Sequence, residues 1–345
     1  MAATARFDYS DGKLHLNEIA IPAPKAHQIL VKVACASLCQ TDAMLFKPND
    51  QGLILSQKPT TIGHEGTGYV VELGADVANF TPGDAVGMLP ANDCCYQCYA
   101  CRNVNNVWCA SGNQKVHGLS ADGFFQEYVV VDAKSVLILP PAIDPSESAP
   151  LFCAGLTAFH SVEEAGLQPG QWVAIIGCGG LGYLGVQYAK AMGLKVVAVD
   201  ISEPALEDAK LVGADHVLNP SMDESYVDKI KNITNGGADA VINFTASKES
   251  YDDAPAMVRL ASGLIMVVGI PQKPLQFNAL DIAMGKYRIK GGNNGHTYNM
   301  HRAIDFSAKH NIKPRLTIYK LEQVPEMMDL MRTGKARGRL GVRFE

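Results

Sequence analysis

Apolar and polar positions follow two different rhythms along this chain. Up to about residue 150 the apolar positions fall in short β-branched and aromatic runs: Ile29-Leu-Val-Lys-Val, Thr67-Gly-Tyr-Val-Val-Glu-Leu and Glu127-Tyr-Val-Val-Val. Turn signals such as Pro22-Ala-Pro24, Gly74-Ala-Asp76 and Pro82-Gly-Asp84 separate them, which predicts a β-rich region. From about 153 the texture changes to strands alternating with helices. Trp172-Val-Ala-Ile-Ile, Lys195-Val-Val-Ala-Val, His216-Val-Leu, Asp239-Ala-Val-Ile-Asn-Phe and Leu264-Ile-Met-Val-Val-Gly read as strands. Helical runs end at Met192 and cover 203–212, 223–233 and 249–260, the signature of a parallel doubly wound sheet. After Gly291-Gly-Asn-Asn-Gly295 the pattern is mixed again and ends in a strand-like tail.

The stretch from Trp172 to Asp200 organises the second half. It reads strand, Gly177-Cys-Gly179-Gly180-Leu181-Gly182, helix, strand, with Asp200 at the tip of the second strand. In that context G-x-G-x-x-G points to a dinucleotide site. Gly177 permits the tight turn, Gly179 admits a pyrophosphate to the backbone, and Gly182 lets the helix pack against the strand. The free N–H groups of the helix N-terminus favour phosphate. Asp200 can accept both ribose hydroxyls and would repel a 2′-phosphate, as would Glu203, so NAD(H) is expected rather than NADP.

Composition narrows the class. At 345 residues two domains are expected, and 47% apolar with 19% charged residues is ordinary for a globular protein. No run is long enough to span a bilayer, and the N-terminal residues lack the apolar core of a secretory signal. A net charge of −5 argues against nucleic acid as a partner. Nine cysteines at metal-type spacings suit a reducing cytoplasm and thiolate ligation.

Cys95, Cys98, Cys101 and Cys109 form C-x₂-C-x₂-C-x₇-C, four thiolates able to fold around one tetrahedral zinc. Cys94 makes the register arguable, and Cys95 is preferred because the two-residue spacing then holds twice. A second, dispersed set comprises Cys39 in Cys39-Gln-Thr41-Asp42, His64 in Gly63-His64-Glu65-Gly66, and Cys153 in Cys153-Ala-Gly-Leu-Thr157. Two sulfurs and one imidazole leave a fourth position open, the arrangement of catalytic zinc.

With these motifs, Asp122-Gly-Phe-Phe-Gln-Glu-Tyr128 and Gln187-Tyr-Ala-Lys-Ala-Met-Gly193, nearly the whole chain resembles the zinc-containing medium-chain alcohol dehydrogenases, nearest the yeast-type branch. The resemblance implies a Rossmann domain (153–289) inserted into a β-rich, GroES-like catalytic domain (1–152 and 290–345) with a structural-zinc lobe at about 94–110. It implies two zinc ions per chain. Cys39, His64 and Cys153 match the catalytic ligands, and Glu65 the carboxylate that can transiently approach the metal. Asp42 matches the acid that orients the histidine, and Thr41 the hydroxyl on the substrate oxygen. Thr157 and Leu181 match residues packing the nicotinamide, Gly180, Gly269 and Ile270 fall among the cofactor-binding positions, and Arg339 resembles the arginine on the pyrophosphate. The implied reaction is reversible hydride transfer between an alcohol and NAD, giving an aldehyde or ketone. The alternatives are a polyol or other secondary-alcohol dehydrogenase, a zinc-independent reductase, or a non-catalytic NAD-binding relative. A cytoplasmic homotetramer or homodimer is expected, with no membrane partner.

Three positions depart from the yeast-type pattern. Gln40 replaces a basic residue, Pro90 stands where a pocket-lining tryptophan is frequent, and Met44 stands in place of a proton-relay histidine. The smaller Pro90 ring predicts an alcohol larger than ethanol. Met44 predicts that water takes the proton, unless His15, His27 or His117 folds into reach.

Overall fold

The computed structural model describes residues 1–8, 11–46 and 58–345, apart from the side chains of Phe7 and Met44. The chain divides into two compact units, Met1–Leu156 with Asn294–Glu345, and Thr157–Asn293.

The first unit is built on a seven-stranded sheet. Its path runs Val136–Ile138, Ala85–Met88, Glu65–Leu73, Gln28–Ser37, Arg339–Arg343 and Leu316–Tyr319, with Tyr128–Asp132 also paired to Gln28–Ser37. Gln28–Ser37 is central and buried at nearly every position, so its sequence is a continuous apolar run rather than an alternating one. A C-terminal strand, Arg339–Arg343, lies directly beside it, pairing Gly341 with Ser37 and Val342 with Ala36. Ile29, Val31, Val33, Val70, Val86, Phe124, Phe125, Val129 and Val342 form the core between the strands. Each large side chain buried there contributes about 1.5–3 kcal/mol, which holds the ends of these strands in fixed register. A second sheet of three strands, in the order Lys13–Ile19, Ala2–Asp8 and Thr60–Thr61, belongs to the same unit.

In the second unit six strands run parallel, in the order His216–Leu218, Lys195–Val199, Trp172–Ile176, Ala240–Asn243, Leu264–Val267 and Arg288–Gly291. This is the doubly wound order, with its reversal point beside the first strand after Gly170, Trp172–Ile176. Helices Gly180–Ala191, Glu203–Leu211, Tyr226–Thr234 and Lys248–Met257 make the crossovers. Sequence boundaries and structural ones differ slightly: the units meet at Leu156/Thr157 and Asn293/Asn294, against 153 and 290 from the change in texture. Cys153 therefore belongs to the first unit. It follows a short turn, Ala149–Phe152, whose four residues are all buried.

Candidate active site

The strand Gln28–Ser37 delivers Cys39, and a 3-10 turn, Gln40–Leu45, follows at once. Asp42, third in that turn, reaches back so that one carboxylate oxygen accepts the Cys39 amide at 2.8 Å. Its other oxygen takes a hydrogen bond from His64 Nδ1 at 2.8 Å. Asp42 is fully buried and His64 almost so. The ring is thereby fixed with Nδ1 protonated, leaving Nε2 for a metal. Burial alone would lower the His64 pKa, but Asp42 and then Cys39 outweigh it and hold it well above the usual imidazole value.

Donor atoms of Cys39, His64, Glu65 and Cys153 all lie within 4.8 Å of one another. The Cys39 thiol is drawn well below its ordinary pKa, first by a hydrogen bond with Cys153, and the same contact pushes Cys153 up. Two sulfurs, an imidazole and a carboxylate are a donor set that suits zinc. Thr41 Oγ1 stands 3.8 Å from Cys39 Sγ, at the rim of the set and half-buried. Glu65 is fully buried, and that burial pushes its pKa up to about 8 despite Arg339. Ser37 Oγ donates to one of its oxygens at 2.6 Å, and Arg339 Nη2 lies 3.0 Å from the other. Arg339 Nη2 is also 3.5 Å from Cys39 Sγ. The arginine assigned to a pyrophosphate is thus buried in the first unit against Glu65 and Cys39, its Nε without a protein partner among the described residues.

The four sulfurs of Cys95, Cys98, Cys101 and Cys109 form a second set, again within 4.8 Å. Backbone amides point at the sulfurs: Cys95 N–H at Cys109 (3.2 Å), Cys98 N–H at Cys95 (3.4 Å) and Ala110 N–H at Cys98 (3.4 Å). Such donors stabilise thiolates. Against the effect of burial, the Cys95 amide and Ser111 pull Cys109 down to about 6, whereas burial pushes Cys101 up to about 12. Cys94 is not in the set; its thiol turns to the carbonyls of Asn92 and Asn106, and burial raises its pKa.

Two residues flanking Cys94-Cys95, Asp93 and Tyr96, adopt left-handed backbone with φ of 54° and 57°. A single buried carboxylate holds both. Asp132 accepts the Asp93 amide at 2.8 Å and the Tyr96 hydroxyl at 2.7 Å, and its second oxygen faces His27 Nε2 at 3.1 Å. His27, Asp93 and Asp132 also lie close enough to suggest a third metal set. Lys115 Nζ occupies Asp93 at 3.0 Å, and one Asp132 oxygen is spent on the lobe while the other pairs with His27, so these residues are an anchor.

In the second unit Gly177 has φ of +87°, which a side chain rarely tolerates. A Cβ on Gly182 would stand 1.8 Å from the Gly177 carbonyl, so the helix packs on the turn only because that atom is missing. A Cβ on Gly179 would meet nothing within 4 Å, leaving backbone open to a pyrophosphate at the helix N-terminus. Asp200 accepts the Cys178 amide at 2.6 Å and the Ser202 amide at 2.8 Å, which places its carboxylate against the same turn. Asn219 Nδ2 donates to Glu203 beside it. The Tyr251 hydroxyl donates to the Gly269 carbonyl at 2.7 Å, Ile270 is exposed, and Thr157, Gly180 and Leu181 lie on helices of this region. Of the residues expected at a dinucleotide, Gly177, Gly179, Gly182, Asp200 and Gly269 lie just past the ends of parallel strands, and Arg339 belongs to the first unit. The Met44 side chain lies outside the described residues. His15, His27 and His117 are held by Asp11, Asp132 and the Asp122 carbonyl.

Sequence reading missed Ser37 and Asp132. Ser37 is a polar residue closing an apolar strand, a faint signal. Asp132 has no motif at all, since its role arises from pairing across 39 and 36 positions.

Comparison with known proteins agrees with both units. Residues 25–141 match the alcohol dehydrogenase GroES-like domain, and residues 180–309 match the zinc-binding dehydrogenase family. An alcohol dehydrogenase of Geobacillus stearothermophilus is 35% identical over 332 residues, 96% of each chain. One from Moraxella sp. (strain TAE123) is 33% identical over 331 residues, again 96% of each. The crystal structure of the alcohol dehydrogenase from Aeropyrum pernix superposes with a TM-score of 0.89 at 29% identity, covering 99% of this chain and 100% of that one. These curated relatives are bacterial, as is an alcohol dehydrogenase of Rhizobium meliloti that is 31% identical over 341 residues, which places the chain in the family without tying it to a fungal branch. With two zinc-type donor sets, a dinucleotide turn and relatives matched from end to end, this chain belongs to the zinc-type medium-chain dehydrogenase/reductase family.

Proposed function

We propose that the protein is an NAD-linked, zinc-dependent dehydrogenase of an alcohol larger than ethanol, working reversibly between alcohol and aldehyde or ketone. The observation that carries this reading is the convergence of Cys39, His64 and Cys153 within 4.8 Å, with Asp42 fixing the histidine. When bound, zinc supplies a Lewis acid for the alcohol oxygen and NAD supplies the hydride acceptor. Three strong donors leave a position for substrate. Thr41, at the rim, is the hydroxyl that hydrogen-bonds the substrate oxygen and accepts its proton. Asp42 keeps His64 Nε2 directed at the metal. Cys95, Cys98, Cys101 and Cys109 hold the second, structural zinc.

Asp200 and Glu203 present two carboxylates where a 2′-phosphate would lie, which supports NAD over NADP. Because His15, His27 and His117 are engaged elsewhere, water is the terminal proton acceptor in this reading. The yeast-type assignment rests on the shared motifs alone. Cytoplasmic location fits the cysteine pattern; among the described residues no helix is long and apolar enough to cross a membrane. A homotetramer or homodimer follows from the family resemblance.

The test is kcat/KM with NAD and NADP over primary, secondary, aromatic and polyol substrates. A larger alcohol should win, since each additional buried methylene can add about 0.8 kcal/mol. Preference for ethanol would remove the substrate-size reading, and preference for a polyol would favour the second dehydrogenase class.

A further inference from the structure

We propose that the Ser37 hydroxyl is a positioning group for Glu65, holding its carboxylate out of the metal's open position so that substrate can take it. The proposal rests on the zinc reading above. Three adjacent strands bring the parts together. Ser37 ends Gln28–Ser37, Glu65 begins Glu65–Leu73 directly opposite it, and Arg339 begins Arg339–Arg343 on the other side. Ser37 and Glu65 are both fully buried, so water does not replace either partner.

The carboxylate is clamped at one oxygen by a hydrogen bond and at the other by an ion pair alone. Ser37 Oγ donates to one at 2.6 Å, and Arg339 faces the other at 3.0 Å. Yet a Glu65 oxygen already lies within 4.8 Å of the Cys39, His64 and Cys153 donor atoms. A Glu65 oxygen that joined those three donors would complete a set of four, and four is the number zinc takes, so it would compete with a substrate oxygen. Arg339 is committed twice, to Glu65 and to Cys39 Sγ, and as a permanent cation it stays. Ser37 is the neutral half of the clamp, and its single O–H is what the carboxylate must surrender to turn inward. Oxygen-to-carboxylate bonds are among the stronger hydrogen bonds, so the hold is substantial.

The experiment uses the holoenzyme with cobalt in the catalytic set and imidazole as the probe of the open position, read by the shift of the cobalt absorption bands. Ser37→Ala should weaken imidazole binding by about tenfold, equivalent to about 1.4 kcal/mol, the low end for a hydrogen bond to a charged group. In a Glu65→Gln background the same substitution should change affinity by less than about twofold, because the group being positioned is gone. Ser37→Gly, which also deletes the hydroxyl, should repeat the result if Ser37→Ala folds poorly, with circular dichroism as the control on folding. Unchanged imidazole affinity in folded Ser37→Ala or Ser37→Gly would overturn the proposal. So would an equal loss in the Glu65→Gln background, which would make Ser37 a packing residue only. Wild-type protein that takes up no cobalt at Cys39, His64 and Cys153 would overturn the zinc reading itself, and the proposal with it.

Discussion

A buried carboxylate is costly unless its oxygens are occupied; Asp42 and Asp132 have both oxygens engaged, and Glu65 accepts from Ser37 at one and faces Arg339 with the other. Each converts that cost into the orientation of a neighbour. Asp42 is the clearest case, since one side chain fixes the Cys39 backbone and the His64 ring together. Asp42→Asn should lower catalytic-zinc affinity by about 10–100-fold, measured by competition with a chromophoric chelator; wild-type affinity would mean the ring is oriented by something else. Asp200→Ser should narrow the preference for NAD over NADP in kcat/KM, because it removes the charge that repels a 2′-phosphate. Identical selectivity in variant and wild type would move the discrimination to Glu203 or elsewhere. These residues were legible beforehand because motifs carry them: Cys39-x-x-Asp42, Gly63-His64-Glu65-Gly66 and the glycine turn are local patterns. Ser37 and the pairing of Arg339 with Glu65 were not. They depend on which strands lie side by side, and that register is set by the burial of Gln28–Ser37 rather than by any short pattern.

At the level of elements, the cysteine lobe is held to the sheet by the end of one strand. Asp132 closes Tyr128–Asp132 and fixes the two left-handed residues that present Cys95 and Cys98. Asp132→Ala should cost about 1–3 kcal/mol by leaving the Asp93 amide and the Tyr96 hydroxyl without the acceptor they share. The expected readouts are a lower Tm and faster loss of one zinc to chelator, with the second zinc retained; equal loss of both zincs would contradict a lobe-specific anchor. His117, beside the short strand Lys115–Val116, gives the lobe region a pH dependence. It is buried, and burial lowers its pKa below 6.5. As pH falls through the unfolded value of about 6.5, the unfolded chain takes up a proton that the folded chain resists. Stability is therefore intact above that pH and declines below it. In His117→Gln the decline between about pH 6.5 and 5 should be shallower in denaturant titrations; parallel slopes would assign the acid sensitivity to other groups. The strands named from the apolar rhythm, and the helices at 203–212, 223–233 and 249–260, lie within a few residues of those found, whereas helices Met300–His310 and Val324–Arg332 fall in the stretch that read as mixed. The limits of the units lie a few residues beyond the change in texture, because Cys153 and Ala154-Gly-Leu156 group with the first unit although the helix Ala154–Glu163 has already begun.

Across the whole molecule, among the described residues, two sulfur-containing donor sets of different character occur in one unit. One is four sulfurs on a compact lobe, and the other is drawn from residues 39, 64 and 153 with a position to spare. The first suits a structural ion and the second a catalytic one, which is the central claim about this chain. Its most direct test is zinc content per chain in wild type, Cys98→Ser and His64→Ala, measured by atomic emission on extensively dialysed protein. Two zincs are expected in the wild type and one in each variant, with His64→Ala folded but inactive and Cys98→Ser lowered in Tm. A fully active wild-type protein that carries a single zinc would contradict the account.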